Sequence, residues 1–535
     1  MTGNKKLQVW LPLIFSLILI TGMYFGFRLR ENSPAGSRFF KADKKNTVQE
    51  IMDLVNMYYV DSVQSDSLQY DAIQEMISHL DPHSVYIPAS QLKEANEDIT
   101  GNFEGIGIEF NIFNDTIHVL YVLPGGPGEK AGMQVGDCIL KIDEKPAAGV
   151  GITSNQIRER VRGRQGTKVN LVLQRNKKEI SVTVTRGTIP LPAVDAAYML
   201  TDSIGYIRLN KFSESAYREF MEALESLQKS GMKNLVFDLR GNGGGLMDQA
   251  VSIADEFLSG DKLIVYTEGV NSKRRNYRCR RNGLFEDGPL VLLVDELSAS
   301  ASEVVAGALQ DWCRATIIGR RTFGKGLVQE QYSLRDGSAI RLTVARYYTP
   351  ISRSIQRPYE KGKAEYLQEV RDRFYNGESL SPDSAKTHYD NGKIYKTECG
   401  DTVYGGGGIM PDIFVPADTA GFSQNIRDIV FSLAFNNLIY NFYISNRASI
   451  EKYRSVNEFA DDLSRKESTW QLLTGYALRD SVDLKKASPA ERQRVMERFL
   501  ANLARYRWRN SGFNEIINKN DPVVKRALAH FTKKQ

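Results

Sequence analysis

An unbroken apolar run, Leu290 to Val294, follows Pro289 and passes within a few residues into Ser298-Ala299-Ser300-Ala301-Ser302-Glu303. Such a run predicts a buried strand. Val304, Ala308, Leu309 and Trp312 then recur at helical spacing, so the serines stand at a strand-to-helix turn. At such a turn a hydroxyl lies near the positive end of a helix and near free backbone N–H groups. Those surroundings suit a nucleophile whose product is an oxyanion. The tetrad Ser300-Ala301-Ser302-Glu303 also fits a plain capping box, which would do no more than close the first helical turn.

A second segment, Thr322-Phe323-Gly324-Lys325-Gly326-Leu327-Val328-Gln329, shifts the balance. Lys325 stands between two glycines with nothing on its own stretch to pair it, and a lysine set against a serine in a dry site can lose its proton and act as a base. The stretch from Gly319 to Gly326 nearly spells a phosphate-binding loop. However, Gly326 lacks the hydroxyl that would hold magnesium, and Leu327 to Leu334 and Ala339 to Tyr348 read as two strands around the Asp336-Gly337 turn rather than as a helix. Residue chemistry alone does not choose among Ser298, Ser300 and Ser302.

Taken together, the two segments closely resemble the carboxyl-terminal processing proteases, also called tail-specific proteases, which use a serine/lysine dyad. The resemblance implies that Ser300, the middle serine, is the nucleophile, Lys325 the base and Gln329 an assisting residue. It further implies an α/β fold: a crotonase/ClpP-like mixed catalytic core with an inserted β-rich PDZ domain and helical N- and C-terminal regions. The expected boundaries are an anchor over 1–30, a helical region over 31–98, the PDZ domain over 99–187, the catalytic core over 188–416 and a helical region over 417–535.

Two further segments carry the resemblance. Ala131-Gly132-Met133-Gln134-Val135-Gly136-Asp137-Cys138-Ile139 is similar to the central motif of PDZ domains, and Gly105, Ile106, Gly107 and Ile108 are the candidates for a loop that captures a terminal carboxylate. Those glycines also fit a tight entry into a strand and nothing more. Asn234 to Leu239 reads as a buried strand running into Arg240-Gly241-Asn242-Gly243-Gly244-Gly245, after which Met247, Val251, Ala254 and Leu258 keep helical spacing. In the family this loop helps form the oxyanion hole, which implies that role for Gly243 and Gly244 beside the N–H of Ala301. A strand over Ile204–Leu209 and a helix from Ser215 to Gln228 precede it. Leu80-Asp81-Pro82-His83-Ser84-Val85-Tyr86 matches a turn that the family carries just before its PDZ module.

A chain of 535 residues divides into about three or four domains, and its formal charge of +6 is spread too thinly for a nucleic-acid footprint. Leu7 to Phe27 is uncharged and near the roughly 20 residues a membrane-spanning helix needs, with no convincing cleavage site, so a single-pass anchor is expected. Lys5 and Lys6 before it are outnumbered by Arg28, Arg30, Arg38, Lys41, Lys44 and Lys45 after it. That asymmetry alone would keep the body cytoplasmic. The family resemblance implies the opposite, an inner-membrane protein with its catalytic part in the periplasm, and we follow it.

None of the five histidines lies between Ile189 and Pro350, so a serine–histidine mechanism is not expected. Pro82 breaks any helical metal pair of His79 and His83. The four cysteines form no Cys-x-x-Cys motif. Cys138 and Cys313 read most simply as core residues, and no disulfide can be assigned. Neither a metal nor a cofactor is expected. Residues 351–404 are polar and weakly periodic and look like an excursion from the core, while 417–535 is mostly helical without recognisable chemistry, open to an adaptor or to self-assembly. The expected activity is a membrane-tethered serine endopeptidase acting on proteins or peptides with free C-termini. The alternative is a catalytically inactive PDZ scaffold at the membrane.

Overall fold

A computed structural model describes residues 5–32, 47–381, 393–418, 423–479 and 483–533. They fall into two compact units, 1–76 and 77–535. The first holds α1 (Lys5–Asn32), α2 (Thr47–Tyr58) and most of α3 (Ser65–Ser78). Trp10 to Phe27 of α1 is apolar and exposed throughout, and is long enough to cross a membrane. The basic residues Arg38, Lys41, Lys44 and Lys45 lie outside the described residues.

In the second unit, β1 (Val85–Ile87) and α4 (Ala89–Thr100) lead to a β-rich module whose first strand, β2 (Asn102–Gly105), pairs antiparallel with its last, β9 (Gly187–Pro190). The chain therefore enters and leaves the module at one point, as an insertion must. Between them come β3 (Ile108–Phe113), β4 (Thr116–Val122), the short α5 (Pro127–Lys130), β5 (Cys138–Ile142), β6 (Lys145–Pro146), α6 (Ser154–Val161), β7 (Lys168–Arg175) and β8 (Lys178–Thr185). The sheet order is β3-β4-β5-β7-β8 with β6 on β5, which leaves β3 at an edge. Val169, Leu171 and Leu173 alternate inward along β7 and join Ile117, Val119, Ile139 and Ile157 in the module's own core.

The larger core is built from β10 (Val194–Met199), β11 (Ile204–Leu209), α7 (Ala216–Lys229), β12 (Asn234–Asp238), α8 (Met247–Asp255), β13 (Leu263–Glu268), β14 (Arg275–Arg278), β15 (Leu290–Val294), α9 (Ala301–Asp311), β16 (Thr316–Gly319), β17 (Leu327–Ser333) and β18 (Ala339–Tyr348). There follow α10 (Lys363–Tyr375), the hairpin β19 (Ile394–Lys396) and β20 (Thr402–Tyr404), and β21 (Ile413–Phe414). The C-terminal helices are α11 (Gln424–Val430), α12 (Leu433–Ile450), α13 (Val456–Arg465), α14 (Glu467–Arg479), α15 (Pro489–Ile517) and α16 (Pro522–Lys533).

One six-stranded sheet, β10-β11-β12-β15-β16-β21, is parallel except for β10. Every residue of β12 and β15 is buried, as interior parallel strands require when both faces are covered. Phe237 and Leu292 face Phe220 of α7, Ile253 of α8 and Val305 of α9, while Val236, Val291 and Leu293 face Val524 and Ala527 of α16. A second sheet runs β1-β18-β13-β14, with β17 also paired to β18.

Two expectations need correcting. Cys313 is not simply a core residue: it forms a disulfide with Cys399, while Cys138 and Cys279 are free. The two cysteines lie far apart in sequence, so no spacing argument could have paired them. The described part of 351–404 is not an excursion. It folds back on the core and buries Arg353, Arg357 and Arg373, each of which reaches a carboxylate, at Asp311 for Arg353 and at Glu369 for the other two. Arginine in a sequence reads as surface, and only tertiary pairing puts it inside.

Phe237 packs against Phe220 and Phe257 with ring centroids 5.2 and 5.9 Å away. Phe237→Ala should destabilise the core by about 3–5 kcal/mol. A urea titration of the core transition measures it, and a loss under about 1 kcal/mol would contradict this packing.

Candidate active site

The turn from β15 into α9 is held by its own polar side chains. The Ser298 hydroxyl donates to the Leu239 carbonyl at 2.8 Å, and the Ser302 hydroxyl to the Asn242 carbonyl at 2.8 Å. Both serines are fully buried. Ser300 instead lines an open cleft of about 570 Å³ that also takes in Gly243, Gly244, Ala301, Lys325, Gln329 and Tyr347. Its backbone sits at φ 55°, ψ −113°, a strained conformation for a residue with a side chain. Such strain costs on the order of 1–3 kcal/mol and persists only where the surroundings enforce it.

What enforces it is Glu303. Its fully buried carboxylate accepts four hydrogen bonds: from the Ser300 N–H (2.8 Å), the Thr322 hydroxyl (2.6 Å), the Gly324 N–H (2.7 Å) and the Lys325 N–H (2.8 Å). Burial pushes this carboxyl above its ordinary range, while the four donors pull the other way by favouring the charged form. On the opposite side the buried Tyr347 hydroxyl is shared between the carbonyls of Ser300 (2.9 Å) and Lys325. Two side chains thus hold the backbones of Ser300 and Lys325 on both their N–H and C=O sides.

The Lys325 ammonium donates to the Gln329 amide oxygen at 2.9 Å, and the Gln329 amide nitrogen donates to the His83 carbonyl at 2.6 Å. His83 is fixed in turn by the Asp81 carboxylate, which accepts the N–H groups of His83 and Ser84, while the Ser84 hydroxyl accepts the Thr343 N–H of β18. Burial, with the charge of Arg341 added, lowers Lys325 from 10.5 to about 8, against the pull of Asp81 and Glu303. Burial and then the charge of Lys325 hold His83 down at about 3, so its ring is neutral. From the far side Arg373 of α10 donates to the carbonyls of Arg321, Thr322 and Phe323 and braces the strand of chain that ends in Lys325.

The glycine loop closes the other wall. Among the described residues the N–H groups of Gly243 and Ala301 find no acceptor, whereas the Gly244 N–H donates to the Asn242 side chain at 2.9 Å. Gly244 has φ +99°, and a Cβ there would stand 2.8 Å from Ser300 Cβ, so only glycine fits. In the β-rich module the Ile106 and Gly107 carbonyls are taken by Gly128 and Leu123, Gly105 pairs with Gly187, and Ile108 opens edge strand β3 opposite Val122. The N–H groups of Ile106 and Gly107 have no acceptor among the described residues.

Sequence reasoning missed Tyr347, Arg373 and the His83 carbonyl, and read Glu303 only as a cap. A glutamate held buried by the lysine's own loop leaves no local signal beyond the tetrad.

Ser300, Lys325 and two N–H groups that find no acceptor among the described residues share one cleft, and known proteins give the class. Residues 203–361 match peptidase family S41 and residues 118–175 match the PDZ domain. A carboxy-terminal-processing protease of Bartonella bacilliformis is 37% identical over 57% of this chain and 71% of its own. A probable CtpA-like serine protease of Staphylococcus aureus is 35% identical over 57% of this chain and 61% of its own length. Among solved structures, a photosystem II D1 C-terminal processing protease is 30% identical, covering 57% of this chain and 89% of its own, with a TM-score of 0.33. The protein is a serine-type peptidase with a PDZ domain. It belongs to peptidase family S41.

Glu303→Gln keeps the size but loses an acceptor and places an NH2 against N–H donors. It should leave at least one buried donor unpaired, at a cost of about 1–3 kcal/mol each, and lower kcat. Urea unfolding together with kcat tests this; unchanged values for both would remove Glu303 from the role described.

Proposed function

We propose that the protein is a membrane-tethered serine endopeptidase that engages C-terminal tails of protein substrates and cleaves near them. The supporting observation is the pair of clamps by which Glu303 and Tyr347 hold Ser300 and Lys325 in one cleft. In this reading neutral Lys325 takes the Ser300 proton as the hydroxyl oxygen attacks the scissile carbonyl. Gln329 orients the amine, and the ammonium then gives its proton to the leaving nitrogen. The developing oxyanion is met by the N–H groups of Ala301 and Gly243. Gly244, whose own N–H is engaged, sets how closely that loop approaches Ser300.

The catalytic part, 188–416, is taken as a crotonase/ClpP-like core, and 99–187 as the PDZ module, with 31–98 and 417–535 as its helical flanks. In the module, the N–H groups of Ile106 and Gly107 at the entrance to edge strand β3 are the donors proposed for a terminal carboxylate, the tail adding alongside β3. The exposed apolar stretch Trp10–Phe27 of α1, within residues 1–30, serves as a single-pass inner-membrane anchor. The Cys313–Cys399 disulfide favours an oxidising compartment, and so a periplasmic catalytic part.

Ser300→Ala should abolish hydrolysis of an unfolded protein, and Lys325→Arg should do the same, since arginine keeps its proton at any working pH. Retained activity in either variant would reassign that role. Lys325 is protonated below its pKa and cannot accept a proton there. The rate should therefore climb about tenfold per pH unit up to a midpoint of about 8 and level off above it. Initial rates across that range decide this, and a flat profile would point to another base.

A further inference from the structure

Most arginines packed into this core have a carboxylate: Arg320 meets Glu296, Arg321 meets Glu378, Arg353 meets Asp311 and Arg240 meets Asp238. Arg341 differs. It is half-buried on β18, it lines the same cleft as Ser300, and it forms no ion pair among the described residues. Its guanidinium donates to the Gln331 amide oxygen at 3.0 Å, and Gln331 lines the cleft as well. An amide that accepts through its oxygen keeps its NH2 for a second acceptor. The other charges along the cleft leave Arg341 uncompensated, because Asp98 is already paired with Lys211. Burial lowers Arg341, and its charge adds to what lowers Lys325.

The register fixes where along the substrate this charge acts. Gln329 lies opposite Thr343 and Gln331 opposite Arg341, so Arg341 is two residues, or about 7 Å, beyond the residue that orients Lys325. If Lys325 returns its proton to the leaving nitrogen, as in the reading above, the departing C-terminal fragment passes on that side. We infer that Arg341, with Gln331, forms a subsite for a carboxylate about two or three residues C-terminal to the cleaved bond, a spacing set by the strand rise. Two sources present that chemistry: the α-carboxylate of a short tail, or an Asp or Glu side chain within a longer one. A guanidinium without a carboxylate partner takes one through two parallel N–H···O bonds, which a lysine cannot reproduce.

The test uses the full-length protein and two matched peptide pairs. One pair ends two residues past the cleaved bond as free acid or amide. The other is longer, amidated, and carries Glu or Gln at that same position. Wild-type kcat/KM should favour the carboxylate member of at least one pair by about 10- to 100-fold, the range for a hydrogen bond to a charged group. The pair that responds names the source. Arg341→Gln should bring that ratio close to one, and Arg341→Lys should leave an intermediate ratio, so a poorly folding first variant still leaves a readout. A wild-type ratio near one for both pairs overturns the subsite. So does an undiminished ratio in both variants, which would return carboxylate preference to the PDZ module. Failure of the dyad reading looks different: Ser300→Ala would then cleave at the wild-type rate, and the acid-to-amide ratio would still decide the role of Arg341.

Discussion

The arrangement of Ser300 and Lys325 in their cleft depends on one buried carboxylate. A carboxylate offers about four acceptor positions, and Glu303 fills all four with donors drawn from the Ser300 turn and the Thr322–Lys325 loop. An unpaired charge at that depth would cost several kcal/mol, so each donor is held by the penalty of leaving it. Three of the four are backbone N–H groups. The relative placement of Ser300 and Lys325 is therefore set by main chain, and changing either side chain leaves the scaffold in place. That separation of geometry from chemistry is what makes substitutions at Ser300 and Lys325 readable as chemical tests.

Around this clamp the structure adds rigid backing from elements distant in sequence. Gln329 reaches a carbonyl in the Asp81–Ser84 turn, and Arg373 holds three successive carbonyls from the opposite side. Glu369 accepts from Arg321, Arg357 and Arg373 together; burial would raise its carboxyl, but the three guanidinium groups hold it at about 2. The charged segment after Ile351 thus behaves as an inner wall. Its charges are met by carboxylates, and the Arg357 guanidinium also lies over the rings of Phe323 and Tyr366.

Much of this was legible, for definite reasons. β15 and β18 lie where the apolar run and the Asp336-Gly337 hairpin placed them, and α7 is shifted by one residue at each end. Short-range pattern carries strands and helices because burial is periodic. The choice among three serines was not legible from residue chemistry, because all three flank the same turn. It needs the carbonyls of Leu239 and Asn242, which come from a different strand–loop unit and claim Ser298 and Ser302. For the same reason the engaged N–H of Gly244, the disulfide of Cys313 and the role of Tyr347 could not be read. Each depends on a partner supplied by the fold.

The C-terminal helices, without recognisable chemistry in the sequence, join the PDZ module to the six-stranded sheet. Arg509 interrupts α15 at φ 56°, ψ −150°, a conformation that a free helix would not adopt. At that break its guanidinium reaches Glu109 of edge strand β3 and lies 3.6 Å over the ring of Tyr121. Just past it, Asn510 and Asn514 meet Asp195, Asn518 reaches Tyr198, and Asp521 pairs with Arg240 at the mouth of the glycine loop. One helix is bent so that Arg509 at the bend reaches the PDZ module while the residues past it reach the six-stranded sheet. Tilting the module would have to break the Glu109 pair or straighten the helix and lose its contacts to β10. The orientation of β3 relative to Ser300 is thereby tied to a helix that touches neither Ser300 nor Lys325.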